Sequence, residues 1–293
     1  MKKVVTIGGF ASLHNGHREL IGKSVEMARE KGLKCCVFTF DTGLDSHKGT
    51  ATFMTAEQKE EALVKMGVDE VVVQQFDEAF RGISPESFVK DVLAARMNAG
   101  CVVVGENFRF GKNASGTAQT LKTLCEKAGM ECVIQPLKKD DTGNVISTSY
   151  IEELAKAGDT ERLKKALGRP LKLKGKVIHG RHDGTKIGFP TVNVKVSENA
   201  VVPAKGVYIS ETSVDGKSYV SITNIGNAPT FESHDELTET HIIGVSENLY
   251  GRVVEISLHK KLRNITKFGS VEELKKQLES DTAEAVKYWE NIK

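Results

Sequence analysis

Short apolar runs alternate with amphipathic stretches through the first half of the chain. Each run is three to six residues long and is bounded by glycine or polar positions, which predicts buried strands. The predicted strands lie at residues 4–7, 35–40, 71–73, 101–104 and 132–135. Helical spacing predicts helices at residues 18–31, 56–66, 85–95, 117–128, 149–157 and 160–167. Such alternation predicts an α/β domain with a parallel sheet, whose ligands bind beyond the carboxyl ends of the strands.

The pattern changes after about residue 168. Between residues 171 and 258 the apolar positions mostly alternate, or form short runs separated by glycine turns. Asp215-Gly216 between two such runs is a strong hairpin signal. Several short strands with regular turns predict a small antiparallel β-barrel. Helical spacing returns at residues 271–292, so the 293 residues are predicted to form two domains.

Composition narrows the class of protein. The 41 basic and 39 acidic side chains give a net charge of +2, which argues against a nucleic-acid binder. No apolar run approaches the roughly 20 residues that span a bilayer, so we expect no membrane segment and a cytoplasmic location. The odd cysteine count and the lack of a C-x-x-C pair favour buried free thiols. The cysteines are Cys35, Cys36, Cys101, Cys125 and Cys132.

A histidine pair lies between the first predicted strand and the first helix. His14 and His17 flank Gly16 in an H-x-G-H element, and their spacing places both rings on one side of a helical turn. Gly16 allows a phosphate to approach the backbone, and the helix N-terminus supplies free N–H groups. The element is therefore a candidate triphosphate site, although two surface histidines on a loop remain the alternative.

This element and several longer stretches resemble the bacterial bifunctional riboflavin kinase/FMN adenylyltransferases, also called FAD synthetases. The matching stretches are residues 39–41, 53–59, 76–80, 84–89, 104–111, 184–193, 224–231, 238–242 and 249–251. The resemblance implies a Rossmann-like nucleotidyltransferase domain at residues 1–155 and a linker helix at 156–170. A small antiparallel β-barrel riboflavin kinase domain with a C-terminal helix follows at 171–293.

For the first half, the resemblance implies that His14 and His17 contact the phosphates of ATP. Further ATP or phosphate contacts are implied for Gly8, Phe10, Gly16, Asn107, Arg109, Ser147, Thr148 and Ser149. Hydroxyl groups at a helix start can bind phosphate whatever the family, but they equally often cap the helix, and both roles can hold together.

The second half carries Gly-Phe-Pro-Thr-x-Asn at residues 188–193, which resembles the riboflavin kinase signature. If the chain is extended there, Thr191 and Asn193 share a face, and their oxygens are hard ligands suited to Mg²⁺ bound to ATP. The alternative is a turn and a strand with two solvent-facing polar residues. The resemblance further implies that Gly188 and Pro190 bind ATP.

The resemblance also implies that Glu239 is the general base of the kinase. It would take the proton of the riboflavin 5′-hydroxyl before that oxygen attacks the γ-phosphate of ATP. Phe189, Arg263 and Phe268 are expected to bind the flavin. The expected small molecules are thus ATP, riboflavin, FMN and FAD, with Mg²⁺ as the cofactor and no nucleic acid or membrane as a partner.

Some positions depart from the family pattern. Ala11 stands where the family has Asp, Thr42-Gly43 follow Asp41 where it has Pro-His, Glu152 stands where it has Arg, and Thr185 where it has Arg. A carboxylate in place of a cation disfavours an anion. Bifunctional synthesis of FMN and then FAD is the first hypothesis. The alternatives are a riboflavin kinase with a weak or inactive adenylyltransferase domain and, less in keeping with the motifs, a non-catalytic flavin-binding protein.

Overall fold

The structure is a computed structural model that describes residues 1–41, 53–180, 184, 187–197, 200–227, 236–245 and 247–292. The chain divides into two compact units, Met1–Tyr150 and Ile151–Lys293. In the described part of the chain, no helix combines the length and the apolar character needed to cross a membrane.

The first unit is built on a five-stranded parallel sheet. The described residues of this unit form seven strands, of which five make up the main sheet. The strands are β1 (Lys3–Ile7), β2 (Lys34–Asp41), β3 (Glu70–Gln75), β4 (Ala99–Gly105), β5 (Arg109–Phe110), β6 (Gly116–Thr117) and β7 (Glu131–Gln135). The order in the main sheet is β3-β2-β1-β4-β7, and β5 pairs with β6. The chain reverses its direction of travel across the sheet between β1 and β4, which is where α/β sheets open a crevice for ligands.

Helices cover both faces of this sheet, as the alternating pattern predicts. They are α1 (Asn15–Lys31), α2 (Ala56–Lys65), α3 (Glu78–Arg81), α4 (Pro85–Ser87) and α5 (Ala118–Lys127). Val4 and Val5 of β1 show the two-sided burial, because each packs into a different apolar cluster. The five cysteines are free and buried, which confirms their predicted state.

The helix predicted at residues 85–95 is only partly an α-helix. Ser84 caps its first turn as predicted, by accepting a hydrogen bond from the backbone N–H of Ser87. From Phe88 to Arg96 the chain continues as a π-helix. Hydrogen bonds between residues five apart bring Phe88 and Leu93 to the same side, and both are buried in the core. Packing of large side chains therefore overrides the regular helical spacing here.

The second unit contains two helices, a closed barrel and a final helix. The helices α6 (Thr148–Ala157) and α7 (Thr160–Leu167) precede the barrel, although the first residues of α6 belong to the first unit. The barrel strands are β8 (Leu171–Ile178), β9 (Val192–Val196), β10 (Gly206–Val214), β11 (Lys217–Asn227), β12 (Glu236–Ile242) and β13 (Val253–Arg263). Their order is β10-β11-β12-β9-β8-β13, and each pairing is antiparallel.

The predicted hairpin and the predicted barrel are both confirmed. Asp215 and Gly216 form the two-residue turn between β10 and β11, with φ values of 49° and 76°. Both residues thus adopt the left-handed conformation that a type I′ turn requires. The closing helix α8 (Val271–Glu290) packs against the outside of the barrel through Ala285, which contacts a cluster including Val207.

Hydroxyl groups fill part of the barrel interior. Ser210 bonds to both Ser221 and Thr223 at 2.8 Å, and Thr223 bonds to Thr240 at 3.0 Å. All four side chains are fully buried, and each hydroxyl makes at least one hydrogen bond. Because strand side chains alternate, Glu239 beside Thr240 points to the outer face of the barrel. Glu239 therefore lies on the outer face of the barrel, whereas the four hydroxyl groups lie inside it.

Candidate active sites

The loop after β1 holds a strained backbone beside the histidine pair. Phe10 and Leu13 have φ values of 50° and 44°, although both are apolar and fully buried. Left-handed backbone at such residues is unfavourable and concentrates at functional sites. A Cβ on Gly8 would lie 2.8 Å from the Phe10 ring, so only glycine fits there. Tight packing therefore fixes the course of this loop.

His14 and His17 form a stacked pair at the start of α1. Their ring centroids are 3.6 Å apart with an interplanar angle of 15°. Nδ1 of His14 accepts a hydrogen bond of 3.2 Å from the backbone N–H of His17 and thereby caps the helix. A Cβ on Gly16 would be 3.1 Å from the His14 ring, so this glycine allows the close approach of ring and helix. The sequence prediction that both rings share one side is confirmed.

Burial keeps both imidazoles neutral near pH 7. It lowers the pKa of His14 from 6.5 to about 4. Burial, helped by the charge of His14, lowers the pKa of His17 to about 3. Because Nδ1 of neutral His14 accepts a hydrogen bond, its proton must sit on Nε2, which is then a donor. Nδ1 of His17 is buried and has no hydrogen-bond partner in the described part of the chain.

A cavity of about 390 Å³ opens beside this pair, at the carboxyl ends of β1 and β4. Its lining includes nine residues expected at the phosphates: Gly8, Phe10, His14, Gly16, His17, Asn107, Arg109, Ser147 and Thr148. Ser149 is not among the lining residues. Oγ of Ser147 accepts a hydrogen bond of 3.2 Å from the N–H of Tyr150, so the helix-capping role of this hydroxyl is confirmed. A parallel sheet with free helix ends can hold an anion at this edge.

A second cavity, of about 660 Å³, adjoins the first and is rich in aromatic side chains. Six of the twelve phenylalanines of the chain line it: Phe40, Phe76, Phe80, Phe88, Phe108 and Phe110. The lining also carries the cations Lys59, Arg81 and Arg109, and no carboxylate is among its described residues. Arg109 and Phe108 line both cavities. The arrangement suits a flat aromatic ligand with a negatively charged group near Arg109.

The second unit places a hydroxyl and a carboxylate together on the outer face of the barrel. Thr191 Oγ1 donates a hydrogen bond of 2.7 Å to Oε1 of Glu239. Asn193 of β9 lies directly opposite Glu239 of β12 in the strand register. A Cβ on Gly180 would be 1.8 Å from Nδ2 of Asn193, so the amide packs directly on this glycine. Thr191 and Asn193 therefore share one face, as extended spacing predicts.

The loop before β9 is tied to the same strand. Nδ1 of His241 lies 2.8 Å from the carbonyl oxygen of Pro190, and the His241 ring makes an edge contact with Phe189 at 5.4 Å. Gly188 has a φ of 85° and is exposed. A Cβ on Gly184 would be 2.3 Å from the Phe189 carbonyl oxygen, so the turn closes only around glycine. Thr185 lies outside the described residues.

Arg263 makes its contacts with the final helix. Its guanidinium forms three hydrogen bonds of 2.8–3.2 Å with the carboxylate of Asp281, which is 4% exposed. Gln277 donates a further bond of 2.8 Å to the same carboxylate. The guanidinium also lies 5.7 Å from the centre of the Phe268 ring. The two predicted flavin residues, Arg263 and Phe268, are thus neighbours, and Arg263 fixes α8 to β13.

No cluster of three or more His, Cys, Asp or Glu side chains able to hold a metal ion occurs in the described ranges. A cation at the barrel site would therefore depend on few protein oxygens and on a bound phosphate, which is the usual situation for Mg²⁺.

Comparison with known proteins supports the bifunctional hypothesis. The FAD synthetase family model matches residues 1–149, and the riboflavin kinase model matches residues 167–289. The chain is 34% identical to the bifunctional riboflavin kinase/FMN adenylyltransferase of Bacillus subtilis (strain 168), covering 100% of this chain and 94% of that protein. It is 33% identical to the protein of the same name from Escherichia coli (strain K12), over 98% and 92%. The chain belongs to the bifunctional riboflavin kinase/FMN adenylyltransferase family.

The fold is shared with a solved structure. A crystal structure described as a macrolide-efflux protein from Streptococcus pneumoniae superposes with a TM-score of 0.87 at 28% identity. The match covers 96% of this chain and 93% of that one. The description of that structure differs from the names of the two relatives above. The two family models, which match both halves of this chain, agree with those names. The family resemblance and the fold class that the sequence predicts are confirmed.

The departures in the first half of the chain fall in different places. Ala11 is exposed and lines the aromatic cavity. Gly43 lies outside the described residues. Glu152 belongs to the second unit, whereas every residue that lines the two cavities belongs to the first. Of the departures that lie in the described residues, Ala11 is therefore the one that lines a cavity of the first unit.

The aromatic cavity is the feature that the sequence interpretation missed as a site. Its phenylalanines come from four separate segments, so no single motif contains them. The available signal was the concentration of phenylalanine between residues 38 and 110, where the chain has eight of its twelve. Phe88 and Phe110 belong to the buried core cluster, and Phe40, Phe80 and Phe108 pack against it, so the cavity lies directly on the core.

Proposed function

We propose that the second unit makes FMN from riboflavin and ATP, and that the first unit makes FAD from FMN and ATP with release of pyrophosphate. The family models and the bifunctional relatives support both activities. The observation that carries the proposal is that one chain holds two separate constellations in different units. One is the stacked His14–His17 pair at a sheet edge, and the other is the Thr191–Glu239 contact on the barrel.

In the kinase reaction, Glu239 accepts the proton of the riboflavin 5′-hydroxyl. The freed oxygen attacks the γ-phosphorus of ATP, and ADP leaves. Thr191 orients the base, because its hydroxyl donates to Oε1 and leaves Oε2 for the substrate proton. A carboxylate is a weak base, so most of the acceleration must come from positioning.

Thr191 and Asn193 are the residues that would hold Mg²⁺. A hydroxyl has one proton and two lone pairs. Because the Thr191 hydroxyl donates its hydrogen bond to Glu239, the lone pairs of that oxygen remain available to a cation, so the donor set fits. When bound, Mg²⁺ neutralises part of the charge on the ATP phosphates. Gly188 and Pro190 are proposed to line the nucleotide beside them, and Phe189, Arg263 and Phe268 to contact the flavin.

In the adenylyl transfer, a phosphate oxygen of FMN attacks the α-phosphorus of ATP, and pyrophosphate leaves. Neutral His14 offers Nε2–H to a phosphate oxygen, and His17 stacks against it. Gly8, Phe10 and Gly16 shape the loop around the triphosphate. Asn107, Ser147, Thr148 and Ser149 are proposed as further phosphate contacts at the free N–H groups of the sheet edge.

The aromatic cavity is the proposed place of the FMN ring. Its rings can stack on a flavin, and Arg109 lies where this cavity meets the phosphate cavity. The FMN phosphate would then face the α-phosphate of ATP. We propose the functional boundaries as residues 1–155 for the adenylyltransferase, 156–170 for the linker helix and 171–293 for the kinase. A cytoplasmic location remains a prediction.

The test is an incubation of the purified chain with riboflavin and MgATP, followed by chromatography of the flavins. We expect FMN to accumulate first and FAD to follow. FMN without FAD, also when FMN is the starting flavin, would leave a riboflavin kinase with an inactive first unit. No FMN would contradict the proposal altogether.

A further inference from the structure

Asn224 of β11 completes a polar row across three strands of the barrel. It lies directly opposite Glu239 of β12, and Asn193 of β9 lies opposite Glu239 on the other side. Directly opposed residues of antiparallel strands have Cβ atoms about 4.5–5.5 Å apart and face the same side. The proposed general base therefore stands between two amides on the outer face. Beyond Asn224 the row continues to Val207, which is buried against α8.

One side-chain oxygen of this row lacks a hydrogen bond. Oδ1 of Asn224 is buried and accepts no hydrogen bond from any residue in the described part of the chain. The position that a Cβ on Gly226 would occupy is 4.0 Å from this oxygen and 3.2 Å from Cδ1 of Ile265. A buried acceptor without a partner costs about 1–3 kcal/mol. On the same strand, the inward hydroxyl of Thr223 has two partners, so the interior of the barrel is satisfied where this outward amide is not.

The surroundings of the amide indicate what would satisfy it. The neighbouring residue across the strands is Glu239, which the proposed function places at the 5′-hydroxyl of riboflavin. The ribityl chain carries further hydroxyl groups, and each of them is a hydrogen-bond donor. The terminal torsion of asparagine is broad, so the amide can turn its oxygen toward a ligand beside Glu239.

We propose, on the basis of the proposed kinase function, that Asn224 is a substrate-binding residue for the ribityl chain. Its side-chain oxygen accepts a hydrogen bond from a ribityl hydroxyl other than the 5′-hydroxyl. The contact holds the 5′-hydroxyl beside Glu239. A residue kept for the fold would have its partner within the fold, whereas an acceptor kept for a ligand has none until the ligand binds.

The inference is tested with the full chain and two flavins in the kinase reaction. Riboflavin is the substrate, and lumiflavin, which has a methyl group in place of the ribityl chain, is used as a competitive inhibitor. Because both values come from FMN formation, they report on the second unit alone. The variants are Asn224→Ala and the smaller change Asn224→Ser. Asn291→Ala, at the exposed end of α8, is the matched control.

For Asn224→Ala we expect the KM for riboflavin to rise about tenfold, the effect of one hydrogen bond of about 1.4 kcal/mol. The inhibition constant of lumiflavin and the KM for ATP should stay within about twofold. The melting temperature without ligand should not fall, because the substitution removes an unpaired acceptor. Asn291→Ala should behave as the wild type.

Three results would overturn the inference while leaving the kinase function intact. The KM for riboflavin could be unchanged in both variants, lumiflavin could weaken in parallel with riboflavin, or both variants could lose the fold. The last two would assign Asn224 a structural role. Failure of the wild-type chain to phosphorylate riboflavin would instead contradict the proposed function on which the inference rests.

Discussion

The first unit holds its histidines at the edge of a parallel sheet, whereas the second holds its carboxylate on the outer face of a closed barrel. At the sheet edge, strand ends and a helix N-terminus converge, so backbone N–H groups and neutral rings can meet a phosphate. On the barrel, the site is assembled from residues that are opposite one another in the strand register.

The two sites obtain their chemistry from different structural features. The first unit depends on a constrained loop, with left-handed backbone at Phe10 and Leu13, and on burial that keeps His14 and His17 uncharged. The second unit uses a regular strand and a charged group oriented by one hydrogen bond from Thr191. The two reactions should therefore respond independently to substitution and differently to pH.

The largest effect is expected at Glu239. Glu239→Gln keeps the shape of the side chain and removes the base, so kcat for riboflavin phosphorylation should fall about 10³-fold. FAD formation from FMN should be unchanged, because the first unit does not contain this residue. Glu211→Gln, on strand β10 of the same barrel, is the matched control. An equal loss of kcat in Glu211→Gln would contradict the assignment of Glu239 as the base of the second unit.

A somewhat smaller effect is expected at the sheet edge. His17→Ala removes the ring that stacks on His14 and should lower kcat for FAD formation about 10²-fold. Phosphorylation of riboflavin by the same preparation should be normal, which serves as the internal check on folding. Pyrophosphate release from FMN and ATP is the measurement. Unimpaired release would remove the histidine pair from the mechanism.

The smallest effect concerns acid stability. His14 and His17 have folded pKa values of about 4 and about 3, below the value of 6.5 of a free histidine. Below pH 6.5 the unfolded chain therefore takes up protons that the folded chain refuses, and stability falls. Between pH 7 and 5.5 the loss should be about 1 kcal/mol for each histidine. Above pH 7 this contribution is fully present.

The second unit offers the contrast for this prediction. Burial also lowers the pKa of His259 to about 4, but among the described residues it is one such histidine against two in the first unit. Hydrogen exchange of the β1 and β4 amides should therefore become faster on acidification than that of the β10 and β11 amides, once corrected for the intrinsic rate. An equal acceleration in both units would contradict the electrostatic difference between them.

Local patterns predicted the elements well, because each one depends on neighbours in the chain. The Asp215-Gly216 hairpin, the Ser84 cap and the histidine pair at the start of α1 all follow from short stretches of sequence. The exceptions are the π-helix from Phe88, where tertiary packing decides the turn, and the short elements α3, β5 and β6, which the pattern did not predict.

The parts of the sites that the sequence did not predict depend on contacts between segments that are distant in the chain. Asn224 lies opposite Glu239 only because β11 pairs with β12 in one register, and the sequence alone does not specify that register. The Asp281 partner of Arg263 is likewise set by the docking of α8. The aromatic cavity needs rings from several elements, so periodicity within one element could not reveal it.

The central claim is that one chain carries two separate and complete ATP-dependent sites. A mixture of the Glu239→Gln and His17→Ala variants tests this most directly, with riboflavin and MgATP as the only substrates. Each variant alone should fail to make FAD at an appreciable rate, and the mixture should make it, because FMN from one protein is used by the other. A mixture that accumulates FMN but no FAD would contradict the account.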